Sequence, residues 1–420
     1  MFDGPGRSQV RWSRPSVFAR LAVALGFSLI ALPGCATMRR NAESLDLRPC
    51  SEAFATTKDG WKLGVRRISS KQPGSGKLPV VLCHGLGLNG TFWTITDDHL
   101  PSQLAARGYD VFVVDMRGSG ASHRVGFPGK INRFLRQTPI REVGGRDWTV
   151  DDEAKYDVPA ILEYVERETG SRQVNWVGHS LGGMLMFPFL ELSAESSRVA
   201  NFVDMGGVAM VMETADIIRM RKADKMLRTL SLGLSTGRLG RPMMYGRMGF
   251  MRQIDRFYYT PANVDDRTVD RFYGFTLEDP GAGALKQLDP YLSSGRMLSA
   301  DRKIDYAAGL DRITTPALMI AGEADIMADI PSSMMTYNAL GSPDKTLMRF
   351  GRVNGQAEDY GHCDLVWSRN APKEVFPPLI DWLDHRQPAS PSRQSLPTPQ
   401  RWAVAPTPFP IGLVPSPQQP

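Results

Sequence analysis

Val177-Gly178-His179-Ser180-Leu181-Gly182-Gly183 is the stretch on which the fold of this 420-residue chain turns. It holds the pattern G-x-S-x-G. The β-prone run Gln173–Val177 precedes it, and an apolar, helix-prone stretch begins near Gly183. Glycines two before and two after the serine remove Cβ atoms where strand and helix must pass closely. The serine between them can then hold a strained backbone, with its hydroxyl presented at a sheet edge. The helix start favours negative charge developing there. Five such residues also occur by chance, so the weight rests on the strand before and the helix after. Ser180 is the candidate nucleophile.

Outward from that turn, short apolar runs alternate with helical patterns. Leu78–Cys83, Asp110–Asp115, Phe202–Met205, Ala317–Ala321 and Thr346–Phe350 read as strands covered on both faces. Ser51–Thr56 and Trp61–Ile68 flank Lys58-Asp59-Gly60, a hairpin signal. Asp151–Glu168 has helical periodicity and ends at Gly170, a suitable left-handed terminator; Pro159 should kink it or mark its true start. Lys373–Asp384 is a second helix, with Pro377 and Pro378 in its first turn. Strands alternating with helices predict an α/β fold, a mostly parallel sheet flanked by helices.

A serine hydroxyl needs a base to take its proton. In this strand-turn-helix context the chain order is serine, acid, histidine. Of the six histidines, His362 and His385 follow Ser180. His385 ends the last helix, whereas His362 lies in a loop just before it, where the base belongs. The acid should follow the strand Ala317–Ala321, which points to Asp325, with Asp329 and Glu323 as rivals. Two backbone donors for an oxyanion are expected at Leu181 and Leu86, the latter in the glycine-rich loop His84-Gly85-Leu86-Gly87-Leu88. His84 is expected to shape that loop.

These pieces together resemble the acid lipase family of gastric and lysosomal lipases, within the α/β-hydrolase superfamily. The resemblance is carried by Thr57 to Leu63, Cys83-His84-Gly85-Leu86 followed by Trp93, and Asp152-Glu153-Ala154-Lys155-Tyr156-Asp157-Val158-Pro159-Ala160. The elbow, Gly322 to Asp329, and Gly361-His362-Cys363-Asp364-Leu365-Val366-Trp367 complete it. It spans about residues 51–384, and the stretch 152–160 is the most telling because the chemistry does not demand it. It implies an α/β-hydrolase fold, a Ser180–Asp325–His362 triad, and Leu86 and Leu181 as oxyanion donors. The substrate would be an ester or lipid, with no cofactor or metal. Leu181 stands where those lipases usually carry glutamine, but the donor is backbone. Residues 212–305 match poorly, so acyl and alcohol preference does not transfer. An acyltransferase, thioesterase or carbon–carbon hydrolase would use the same triad, and a lipid-anchored scaffold would not need it.

The ends and the composition fill in the rest. Four arginines precede the apolar run Leu21–Leu32, and Leu32-Pro33-Gly34-Cys35 resembles a bacterial lipobox. The expectation is an exported envelope lipoprotein, held on the membrane through lipidated Cys35. An ordinary secretory signal and an uncleaved anchor are the alternatives. The expected organisation is a signal peptide at 1–34, a tether at 35–50 and a core over 51–211 and 306–386. A mainly helical cap is expected at 212–305, rich in methionine, with a disordered proline-rich tail at 387–420. A net charge of +6, half of it in the first 34 residues, is no nucleic-acid signature. The spacing of Cys35, Cys50, Cys83 and Cys363 fits no zinc motif, and Cys83 should pack as a small hydrophobe, while a bridge from Cys50 stays open.

Overall fold

The computed structural model describes residues 53–124, 147–213 and 252–387. The signal, tether, Cys35, Cys50, the methionines from Met220 to Met251 and the tail beyond Gln387 lie outside the described residues.

The strands are β1 (Ala53–Thr56), β2 (Trp61–Ile68), β3 (Val80–Cys83), β4 (Val111–Val114), β5 (His123–Arg124), β6 (Val174–His179), β7 (Val199–Met205), β8 (Ala317–Gly322) and β9 (Lys345–Phe350). They form one sheet in the order β1-β2-β4-β3-β6-β7-β8-β9, with the short β5 paired to β2. β2 runs antiparallel to its neighbours, and every pairing from β4 through β9 is parallel. The Asp-Gly hairpin forms as expected, with Gly60 at φ +90°. β5 escaped the sequence because two residues carry no pattern.

Both faces are buried along the central strands β3, β4, β6, β7 and β8, which explains their continuous apolar runs, whereas β9, expected to be covered on both faces, lies at the sheet edge and buries only Phe350. Val80 and Leu82 pack with α1 (Leu100–Ala106) on one face, while Val81 and Cys83 pack on the other with α2 (Val158–Thr169). The turn at Ser180 leads into α3 (Leu181–Met184) and α4 (Met186–Leu192), also on the α2 side. α5 (Ile330–Ala339) follows β8, and α6 (Phe376–Asp384) closes the α1 face.

Two helices differ from their sequence pattern. The stretch expected as one helix from Asp151 is an α-turn over Val150–Asp152, a wide turn over Glu153–Asp157, and then α2. Pro159 in the first turn of α2 supplies no N–H, and the Val158 N–H reaches back five residues to the Glu153 carbonyl. This widening turns Glu153 and Asp157 inward. α2 ends at Gly170 in the left-handed conformation, as expected. The last helix breaks at Val375 into Ala371–Glu374 and α6, where Pro377 and Pro378 start a new first turn. Between β7 and β8, the described residues form short helices such as Arg252–Tyr258, Asp266–Arg271 and Ala282–Leu288.

Candidate active site

β3, β6, β8 and β9 all deliver their following loops to the carboxyl edge of the sheet, where open α/β sheets place their sites. Ser180 follows β6 directly and sits at φ 54°, ψ −121°. Such a backbone costs about 1–3 kcal/mol and persists only when its surroundings hold it. Here the Ser180 N–H donates to the Met205 carbonyl at 2.9 Å, and its own carbonyl accepts from Gly183 and Met184 at 2.9 Å each. The glycines are required by space. A Cβ on Gly178 would stand 2.1 Å from the Gly182 oxygen, and one on Gly182 would stand 2.4 Å from the Cys83 oxygen. The helix begins at Leu181, two residues earlier than its apolar pattern suggested. As its first residue, Leu181 has no intrahelical carbonyl for its N–H.

Asp325 and His362 meet. The Asp325 Oδ2 accepts from His362 Nδ1 at 2.8 Å, while Oδ1 accepts from the Met327 and Ala328 N–H groups at 2.8 and 2.9 Å. With Nδ1 carrying the hydrogen, Nε2 is the bare nitrogen; it is buried and has no hydrogen-bond partner among the described residues. The rivals are engaged elsewhere. Asp329 caps α5 by accepting from the Ser332 N–H, and Glu323 pairs with Arg349. His385 sits on the far helix, its ring against the Asp381 carbonyl. A Cβ on Gly206 would lie 3.2 Å from His362 Nδ1, so the chain just beyond Met205 touches both the Ser180 turn and His362.

The glycine-rich loop passes over the serine: a Cβ on Gly85 would be 3.0 Å from the Ser180 Cβ. The Met116 N–H donates to His84 Nε2 at 3.2 Å, which leaves Nδ1–H to donate to the Gly85 carbonyl at 2.9 Å. That bond fixes the plane of the peptide whose other end is the Leu86 N–H. Burial holds the His84 imidazole below its usual pKa, in keeping with a neutral ring. The loop is latched from the other side by residues 275–280. The Glu278 N–H donates to the Gly87 carbonyl at 2.7 Å, and the Asn89 amide donates to the Phe275 carbonyl at 2.8 Å.

A cavity of about 30 Å³ adjoins Leu86 and Leu181 and is walled by Trp148, Glu153 and Asp279. Burial, then the nearby Asp157 charge, pushes the Glu153 carboxyl up to about 8. Asp157 is fully buried and paired with Arg117 at 2.7 Å; burial still lifts its carboxyl to about 6. Arg117 also binds Asp59 of the hairpin turn at 2.8 Å. The stretch 152–160 is therefore an ion-pair anchor behind the site, a role its sequence did not signal. Among the described residues, no cluster of His, Cys, Asp and Glu has the arrangement of a metal site.

A mostly parallel α/β sheet with a strained serine at one strand end defines the class. The chain belongs to the alpha/beta hydrolase fold family, which matches residues 79–367. It is 25% identical over 370 residues to the gastric triacylglycerol lipase of Rattus norvegicus, covering 80% of this chain and 88% of that one. It is 26% identical over 368 residues to triacylglycerol lipase 2 of Arabidopsis thaliana, covering 78% and 82%. A crystal structure described as a membrane phospholipase A, a novel bacterial virulence factor, shares the fold at TM-score 0.52 and 17% identity, over 88% of this chain and 97% of that one. The resemblance to the acid lipases holds, and fold and relatives together support an ester hydrolase.

Proposed function

We propose that this chain cleaves carboxylic esters of apolar, lipid-like substrates through an acyl-enzyme on Ser180. The observation that carries this reading is the His362–Asp325 pair at 2.8 Å, with the buried Nε2 of His362 bare at the carboxyl edge that also presents the strained Ser180. His362 Nε2 takes the Ser180 proton as the oxygen attacks the ester carbonyl. Asp325 holds the ring in the Nδ1–H form and stabilises the imidazolium. The N–H groups of Leu86 and Leu181 receive the oxyanion, and His362 returns the proton to the departing alcohol. Water, deprotonated by His362, then releases the acid.

An apolar ester is favoured by the relatives, whose names specify triacylglycerol lipases. The test is direct. Full-length protein should release p-nitrophenol from short- and medium-chain p-nitrophenyl esters and react with a fluorophosphonate probe, and Ser180→Ala should abolish both. A folded preparation that does neither refutes the proposal. From the basic, apolar start of the chain we also propose that Cys35 is lipidated and holds the enzyme on an envelope membrane. Mass spectrometry of the mature N-terminus decides this; an unmodified Cys35 with the preceding residues attached overturns it.

A further inference from the structure

His179 is the unassigned residue of the elbow. It stands directly before Ser180 and is fully buried, an unusual place for an imidazole. Its Nε2 lies 3.0 Å from the backbone carbonyl of His362. A carbonyl can only accept, so Nε2 carries the hydrogen and donates. Its Nδ1 is buried without a partner among the described residues, which makes it the bare nitrogen of a neutral ring. The ring lies 4.4 Å from that of Phe92 and 4.7 Å from that of His362.

We propose that His179 is a positioning residue that ties the loop carrying the base directly to the turn carrying the nucleophile; this rests on the function proposed above. The geometry supports it on three counts. First, the bond joins the residue next to Ser180 to His362 itself, across 183 positions of chain. Any slide of the base loop relative to the serine must break or bend it. Second, the same loop is held at its other side by the Cys363 N–H donating to the Tyr258 carbonyl at 2.6 Å, so His362 is gripped from two elements. Third, the ring stays neutral. Burial, and then the neighbouring His362, depress the basicity of His179 well below the usual value. A neutral neighbour puts no second cation beside His362 when it becomes an imidazolium.

The test compares two variants with the wild type. His179→Phe keeps a ring against Phe92 and removes the donor, and His179→Gln restores an N–H donor of similar reach. With p-nitrophenyl butyrate, His179→Phe should lower kcat by about 10- to 100-fold, the scale of a misplacement near 1 Å, and leave KM little changed. His179→Gln should recover most of that loss. Far-UV circular dichroism and Tm establish that both are folded. Wild-type kcat in His179→Phe, or a folded His179→Gln no better than His179→Phe, overturns the proposal. A variant-free measurement covers a folding failure: ring ¹⁵N shifts of His179 in wild-type protein. They should show the Nε2–H form, untitrated between about pH 5 and pH 9. An Nδ1–H or titrating ring overturns the proposal. Absence of ester turnover by the wild type would instead defeat the functional reading, and the tautomer would still be read.

Discussion

Gly182 packs the start of α3 against the end of β3, next to the two N–H groups proposed to receive the oxyanion, so a single methyl there tests the architecture of the site. It follows Leu181 directly, and its α-carbon faces the end of β3. In Gly182→Ala the new carbon would sit 2.4 Å from the Cys83 oxygen and 2.6 Å from the His84 oxygen, where ordinary contacts begin at 3.4 Å. Both obstacles are backbone, so neither turns aside as a flexible side chain would. The start of α3 and the loop carrying Leu86 must separate by about 1 Å. Overpacking of this kind costs about 1–3 kcal/mol. The Leu86 and Leu181 N–H groups would part by a similar distance, and a displacement near 1 Å, or loss of one such donor, costs about 10²-fold in rate. The expected result is a Tm lower by several degrees, with kcat/KM for p-nitrophenyl butyrate reduced about 10²-fold or more. The loss should fall mainly on kcat, because the donors act most strongly on the transition state. Fluorophosphonate labelling should slow in parallel. Gly182→Ala with wild-type Tm and wild-type kcat would refute the close approach of α3 to β3 and the placement of the oxyanion between them.

Asp325→Asn should keep the fold and lower kcat by about 10⁴-fold through the wrong tautomer of His362; activity near wild type would point to another acid. Arg117→Met leaves Asp157 and Asp59 without their cation and should destabilise the protein by about 3–5 kcal/mol in denaturant titrations. Adding Asp157→Asn should relieve part of that loss, and strict additivity of the two changes would refute the pairing. For Glu153, the folded-state pKa of about 8 stands above the ordinary 4.5, so folding holds the proton more tightly. Wild-type stability contributed by this group is therefore present at low pH and lost as pH rises from about 4.5 through about 8, with a slope of at most about 1.4 kcal/mol per pH unit. Glu153→Gln removes that loss, so its stability relative to wild type should rise across this window. Parallel curves for the two proteins would place the Glu153 carboxyl in an ordinary environment.

Much of the molecule is legible in local sequence. The central parallel strands announce themselves because burial on both faces demands uninterrupted apolar runs, and β3 and β4 match theirs closely. The elbow is legible because Gly178 and Gly182 leave no room for a Cβ. Chain order placed His362 just before the last helix, and it is the histidine whose Nδ1 meets Asp325. Other features depend on partners far apart in the chain, and no periodicity of two or 3.6 residues encodes those. Asp325, Asp329 and Glu323 all follow one strand within seven residues, and only the path of that loop aims Asp325 at His362 and leaves Asp329 to cap α5. The inward turn of Glu153 and Asp157 follows from the widened helix before Pro159 and from Arg117, 40 positions away from Asp157. His179 shows the division most clearly. Its place beside Ser180 is written in the sequence, while its neutral ring and its bond to the His362 carbonyl exist only because the packed sheet edge brings two loops together and excludes water from both.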